Sequence, residues 1–220
     1  MQKILIGILC LLSFSSYSQD LADKVKSEIE SFHRRGIDTT IIFFVAFVHT
    51  GFPRKVKGLG DTIMIFDSDY IFYKENGKGM LIACIDYVSE DGTYTDIAVS
   101  KPFPVNCDSL FDYSLKRLDD FDRGYVFPFV YRIPWENDSV YIPLKTSHPS
   151  NFDVAISAGT YHSSQSFKGD DFDTNAYTNG PRNLNYPHNI STVTYKLYNM
   201  LQETVDKVRD ELFFVGTKKK

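Results

Sequence analysis

The sequence predicts an α+β fold: a mostly antiparallel sheet with an N-terminal amphipathic helix, a short middle helix and a long C-terminal helix. Two observations carry this prediction. Strand-like segments follow one another from residue 39 to residue 158, separated by short turn sequences. Helical periodicity is confined to the two ends and to one short stretch between them. Helices that are segregated from the strands favour α+β over a doubly wound parallel sheet.

The composition indicates one folded domain over residues 19–220. Of the 220 residues, 43% are hydrophobic and 15% are aromatic, which is enough to build a sizeable core and excludes global disorder. No internal repeat and no linker divides this stretch.

Both terminal helices are predicted from apolar residues at helical spacing. The first helix carries Leu21, Val25, Ile29 and Phe32, and Gly36 is suited to end it. The last carries Val193, Leu197, Leu201, Val205, Val208 and Leu212, between Ser191 as a cap and Gly216 as a stop. Because each helix has one apolar stripe, we expect both to pack on the same face of the sheet.

The strands are predicted from β-branched and aromatic runs. The run at 39–48 is apolar throughout most of its length, which is typical of a central strand buried on both faces. Strands at 70–74, 80–88 and 93–99 form a predicted meander, with turns at Asn76-Gly77 and Asp91-Gly92. Further strands are expected at 125–133, 140–144 and 152–158. The middle helix carries Phe111, Leu115 and Leu118 and ends near Gly124.

Residues 1–18 have the pattern of a secretory signal peptide. Lys3 precedes an apolar run at 4–12, and Ser16 and Ser18 are small residues placed for cleavage before Gln19. The apolar run is too short to span a bilayer as a mature helix, and no later stretch is long enough. We therefore expect a periplasmic or secreted protein with no transmembrane helix in its mature chain.

Charge and cysteine content narrow the function classes. A net charge of −4 argues against nucleic-acid binding, which needs a basic surface to neutralise phosphates. Cleavage would leave Cys84 and Cys107, an even pair that an oxidising compartment allows to form a disulfide. Cys84 lies in an apolar run, where a buried free thiol is the alternative.

Residues 159–189 are predicted to be a long polar loop, because they show no hydrophobic period and few aliphatic side chains. Tyr side chains among Asn, Ser and Gly are typical of adaptable binding surfaces. The predicted ligand-binding residues are Tyr161, His162, Tyr177, Asn185, Tyr186 and His188. Since the loop contributes no apolar stripe, its central part, residues 163–184, is expected to be removable without unfolding the core.

The same loop contains oxygen ligands at alternate positions, a spacing that suits calcium. The candidate ligands are Asp170, Asp171, Asp173 and Asn175. Ala176 and Arg182 stand where an EF-hand needs Gly and Glu, so any such site would be of another type. A solvated acidic loop is the simpler interpretation, and no other cofactor is indicated.

Two functions fit these observations. The first is an exported, non-enzymatic protein that binds a protein, small-molecule or glycan partner through the polar loop. The second is an exported hydrolase whose carboxylate or His site only the fold assembles. Its candidate carboxylates are Asp119, Asp120 and Asp122, although a solvated helix end is the simpler interpretation of these residues.

Overall fold

The computed structural model describes residues 19–47, 52–59, 62–89, 95–136, 138–146, 150–178 and 180–216. The predicted signal peptide and the predicted Asp91-Gly92 turn lie outside these residues. The helices are α1 (Gln19–Arg34), α2 (Asp108–Leu115), α3 (Leu118–Arg123), α4 (Tyr186–Asn189) and α5 (Val193–Val208), with 3-10 turns at Gly169–Phe172 and Arg209–Glu211.

Nine strands form the main sheet, and two more form a separate hairpin. The main-sheet strands are β1 (Thr39–Phe47), β2 (Phe52–Lys55), β3 (Thr62–Glu75), β4 (Lys78–Ser89), β5 (Thr95–Ser100), β6 (Phe103–Pro104), β9 (Ser150–Ala158), β10 (Tyr161–Lys168) and β11 (Phe214–Gly216). The hairpin consists of β7 (Val130–Trp135) and β8 (Asp138–Pro143).

The main sheet has the strand order β10-β9-β1-β3-β4-β5-β11, while β2 pairs with β3 and β6 pairs with β4. All of these strand pairs are antiparallel. The mixed α+β architecture and the long C-terminal helix are therefore confirmed. The predicted middle helix consists of two short helices, α2 and α3, which are separated at Lys116 and Arg117.

The turn at Asn76-Gly77 is confirmed. Asn76 and Gly77 have φ angles of 51° and 75°, and they join β3 to β4 with Glu75 directly opposite Lys78. Two successive positive φ values match the right-handed twist of a two-residue hairpin, which explains why Asn-Gly occurs here.

The prediction that both terminal helices pack on one face of the sheet is wrong. Leu21, Val25 and Phe32 of α1 form one core cluster with Ile71 and other residues on one face of the sheet. Helix α5 packs on the opposite face, in a second cluster. Its contributions there are Leu197, Leu201 and Val205.

The reason for this arrangement lies in the central strands. Ile41 and Phe43 of β1 belong to the α5 cluster, whereas Ile42 belongs to the α1 cluster. A strand that is apolar on both faces requires a cover on both faces, so one terminal helix lies on each side.

The prediction of a structureless loop at 159–189 is also wrong. Residues Tyr161–Lys168 form the edge strand β10, which pairs with β9 along its full length after a turn in which Gly159 has a φ of 60°. Gln165 and Phe167 point toward the core and are buried. Deleting residues 163–184 would remove most of this strand, so the expectation that the segment is dispensable is wrong as well.

Cys84 and Cys107 are both free thiols. Cys84 lies in the α1 cluster and Cys107 in the α5 cluster, on opposite faces of the sheet. Burial raises the pKa of both thiols, so neither is an activated nucleophile. In the part of the chain that the structure describes, no helix is long and apolar enough to cross a membrane.

Candidate functional site

The six residues predicted to bind a ligand do not converge on one point. Tyr161 and His162 are neighbours on strand β10 and therefore point to opposite faces of the sheet. The Tyr161 hydroxyl donates to Asp122 Oδ1 at 2.9 Å, and burial raises its pKa to about 12. His162 Nδ1 lies 3.0 Å from Ser157 Oγ, and burial lowers its pKa. Both side chains have structural partners within the sheet and its helices.

Asn185 and His188 line the segment that leads into the hairpin. Asn185 Nδ2 donates to the carbonyl oxygen of Pro128 at 2.8 Å. The His188 ring packs against Phe127 with 4.6 Å between centroids, and its Nε2 lies 3.0 Å from the Tyr125 carbonyl oxygen. Because a carbonyl can only accept, Nε2 carries the proton. These two residues hold the 125–130 segment in place.

Tyr186 and Tyr177 have different environments. Tyr186 is half-buried at the start of α4. Tyr177 is 69% exposed and is therefore accessible to a partner.

Asp171, at the centre of the predicted calcium-binding pattern, has a structural role. Asp171 is buried, and its Oδ1 and Oδ2 accept hydrogen bonds from the backbone N–H groups of Phe129 and Lys168, each at 2.8 Å. Both carboxylate oxygens thus bind the protein's own backbone. Asp173 and Asn175 are exposed.

Among the described residues, no group of three or more His, Cys, Asp or Glu side chains is placed to hold a metal. The calcium hypothesis for Asp170, Asp171, Asp173 and Asn175 stays a prediction.

Buried asparagines extend the Asp171 contacts into a network. Asn189 Nδ2 donates to the carbonyl oxygens of Asp171 and Phe127, each at 2.8 Å, and Asn189 Oδ1 accepts from the Phe127 N–H at 2.9 Å. Asn183 Nδ2 donates to the carbonyl oxygens of Asp171 and Asp173, at 3.1 and 3.2 Å. Side chains of the predicted loop thus replace the backbone pairing that the 127–129 and 171–173 segments lack.

The carboxylates proposed for a hydrolase are spread over the end of α3. Asp122 accepts the Tyr161 hydroxyl, while Asp120 forms an exposed ion pair with Arg123 at 3.5 Å. The carbonyl oxygen of Asp119 accepts a hydrogen bond from Arg123 Nε. This geometry fits a solvated helix end and provides no facing pair of carboxyl groups.

The feature that sequence analysis missed is the exposed surface of the β7–β8 hairpin. Residues that lie directly opposite each other in an antiparallel hairpin project to the same face, so the register of β7 and β8 defines its two faces. One face, which we call the apolar hairpin face, carries five apolar side chains and, at the tip, Asp138 opposite Trp135. The five are Tyr131 and Ile142, which are half-buried, and Ile133, Trp135 and Val140, which are exposed. None of the five belongs to either core cluster. Trp135 is 63% exposed.

Other exposed apolar side chains surround the base of this hairpin. Leu184 is 46% exposed, and its N–H donates to the Val130 carbonyl oxygen at 2.8 Å. Tyr125 and Phe127 precede the hairpin and are also exposed. Large exposed apolar side chains grouped in one region mark an interaction surface more often than single scattered ones do.

No protein family model, no curated protein and no solved structure matches this chain.

Proposed function

We propose that this chain is an exported, non-enzymatic binding protein that docks a protein partner on the apolar hairpin face. One observation carries the proposal: five apolar side chains share a face of a two-stranded hairpin and contribute to neither core. Burying one large apolar side chain contributes roughly 1.5–3 kcal/mol. The face therefore has enough unburied surface to drive specific association.

The hairpin is separate from the main sheet. Its strands pair only with each other among the described residues, and an isolated two-stranded hairpin is at best marginally stable in water. A backbone hydrogen bond from Leu184 N–H to the Val130 carbonyl attaches its base to the body, whereas the bond from Leu144 N–H to the Phe129 carbonyl continues the pairing between its own two arms. A partner that covered the apolar face would supply the missing packing layer.

The sequence favours a partner that docks on the apolar hairpin face over a partner that adds a strand to an edge of the hairpin. Pro134 lies on β7 and Pro143 on β8, so each strand lacks one backbone donor. Prolines on edge strands discourage the addition of another strand.

The charges near the hairpin tip favour a protein partner over a membrane. Glu136 follows Trp135 in the sequence, and Asp138 lies directly opposite Trp135 in the hairpin. Two exposed carboxylates at the tip, on a chain of net charge −4, would be repelled by anionic lipid headgroups. Their desolvation would also oppose insertion of the indole ring into a bilayer.

The polar segment identified from the sequence contributes to this surface at its base. Leu184 is exposed and its N–H bonds to the Val130 carbonyl oxygen, and Asn185 fixes the adjoining chain through the Pro128 carbonyl. We assign these residues to the rim of the proposed interface. Tyr and Trp at interfaces provide large contact areas at a low cost in side-chain entropy.

Export is the second part of the proposal and depends on residues 1–18. We expect the exported protein to begin at Gln19, since the small-residue pattern places cleavage after Ser18. The intact mass of protein recovered outside the cytoplasm measures this. A mass that includes Met1 would contradict it.

The docking proposal is tested by affinity capture with the mature chain, residues 19–220, as bait in the envelope and medium of the exporting cell. We expect a specifically captured protein, and we expect the double variant Trp135→Ser/Val140→Ser to bind it about 100-fold more weakly, equal to ~2.7 kcal/mol. The dissociation constants are measured on purified components.

Tyr141→Ser is the matched control, because Tyr141 is also 63% exposed but lies on the opposite face of the same hairpin. It should change the affinity by less than about 3-fold, as expected for a residue outside the buried contact. Equal losses from both variants, or capture that neither affects, would refute docking on this face. Self-association lost in the double variant would make a second copy of the chain the partner.

A further inference from the structure

A cavity of about 250 Å³ lies on the α5 side of the sheet. The residues that line it do not belong to the β7–β8 hairpin. It is bounded by the end of β2, by β3 and β4, and by the chain that follows α5. Apolar side chains form most of its wall, namely Val56, Ile65, Tyr70, Ile85, Leu212 and Phe214. This wall can accept a hydrophobic group.

The rim of the cavity is basic, although the chain as a whole is acidic. Lys55, Lys57 and Arg209 line it together with one carboxylate, Asp210. Among the described residues, Lys55 and Lys57 form no ion pair. Two ammonium groups and a guanidinium around an apolar cavity attract a negatively charged ligand.

Arg209 forms an ion pair within the protein and also lines the cavity. Its Nη2 pairs with Asp206 Oδ1 at 3.1 Å, whereas its Nε is buried and has no acceptor among the described residues. The guanidinium nevertheless lines the cavity, so its positive charge is available to a ligand there. A carboxylate suits this position, because it accepts strong hydrogen bonds from guanidinium groups.

The rim is held by backbone contacts that do not depend on a ligand. The Phe214 N–H donates to the Lys57 carbonyl oxygen at 2.8 Å. Gly58 follows with a φ of 98°, and a Cβ at this position would collide with the Phe214 carbonyl oxygen. Glycine therefore allows the lysine-bearing segment to approach β11 closely, which fixes both lysines at the rim.

We infer that this cavity binds a small monocarboxylate with an apolar tail or ring. The apolar wall takes the tail, and the positive charges of Arg209, Lys55 and Lys57 neutralise the carboxylate. A volume of about 250 Å³ lies just below the usual range for ligand pockets, roughly 300–1,000 Å³, so the ligand is small. This inference is independent of the proposed hairpin interface.

Calorimetric titration of the mature chain with three probes tests the inference. Octanoate carries both a carboxylate and an apolar tail, octylamine has the same tail with a positive charge, and acetate lacks the tail. We expect saturable one-to-one binding of octanoate, with octylamine and acetate each at least about 100-fold weaker, since each lacks one of the two recognised features.

Two variants locate the binding. Arg209→Gln and the double variant Lys55→Gln/Lys57→Gln should each weaken octanoate binding about 10-fold or more, as expected for the loss of a charged contact. Lys116→Gln is the control, because Lys116 is exposed and does not line the cavity, and the substitution removes one positive charge, as Arg209→Gln does. It should leave the affinity unchanged.

Amide chemical shifts of the wild-type chain keep the inference testable if a variant does not fold. Octanoate should shift the Lys57, Ile65 and Leu212 amides most strongly. Octylamine binding as tightly as octanoate would overturn the inference. So would weakening by Lys116→Gln equal to that of the rim variants, the absence of saturable octanoate binding, or shifts centred elsewhere.

Discussion

Replacing Asp171 by Ala is expected to lower the free energy of unfolding by about 3 kcal/mol, because one buried and one partly buried backbone donor lose their acceptor at roughly 1–3 kcal/mol each. The donors are the N–H groups of Phe129 and Lys168, which both reach the Asp171 carboxylate at 2.8 Å. The melting temperature should fall by about 10 °C for a domain of this size.

Asp170→Ala is the matched control for this variant. Asp170 is the preceding residue, carries the same charge, and makes no side-chain hydrogen bond to another described residue. It should change the free energy of unfolding by less than about 0.5 kcal/mol. Denaturant unfolding followed by circular dichroism measures both variants. Equal effects would mean that the Asp171 network does not hold the 127–129 and 171–173 segments together.

The melting temperature is expected to be about 5 °C higher at pH 5 than at pH 7.5. Burial, with a smaller contribution from the neighbouring Asp86, raises the pKa of Asp67 to about 6. Burial also raises the pKa of Asp153 to about 6, against a hydrogen bond from Ser166 that lowers it. In the unfolded chain both groups return to a pKa of about 3.9.

The sign of the effect follows from proton binding. Between about pH 4 and 6 the folded state holds these two protons and the unfolded state has released them, so stability falls as the pH rises through this window. Burial raises the pKa of Asp171 as well, which adds to the trend. The lowered pKa of His162 opposes it, because a buried neutral imidazole loses stability as the pH falls.

Asp153→Asn isolates one contributor to this dependence. The variant should melt higher than the wild type at pH 7.5, and this difference should be roughly half as large at pH 5, since the amide cannot ionise in either state. Scanning calorimetry at both pH values gives the comparison. A wild-type melting temperature that rises from pH 5 to pH 7.5 would contradict the account of these buried carboxylates.

The sequence was sufficient to predict most of the fold because its strongest patterns are local. The central strand at 39–48 is apolar on both faces, and Asn76-Gly77 adopts the positive φ angles of a tight hairpin turn. Strand β10 was missed because only Gln165 and Phe167 of its eight residues are buried. An edge strand with so few apolar positions has no visible alternation.

The candidate surfaces could not be predicted because they depend on contacts between distant residues. Asn189 is fully buried and bonds to Phe127, 62 positions earlier, although asparagine in a polar segment is typical of a solvated loop. The exposure of Trp135 could not be inferred from the sequence, because the apolar residues around it are equally typical of a core strand. The two prolines of the hairpin were the available signal, since prolines restrict strands to edges.

Site-specific photo-crosslinking tests the central claim, that the apolar hairpin face binds a protein partner, most directly. A photoreactive phenylalanine analogue is placed at Ile133 or Val140 on this face, and at Tyr141 on the opposite face as a control. Irradiation in the exporting cell should give one discrete protein adduct from Ile133 and Val140 and little from Tyr141. Equal adduct yields at all three positions, adducts with lipid, or no adduct from the apolar face would contradict the claim.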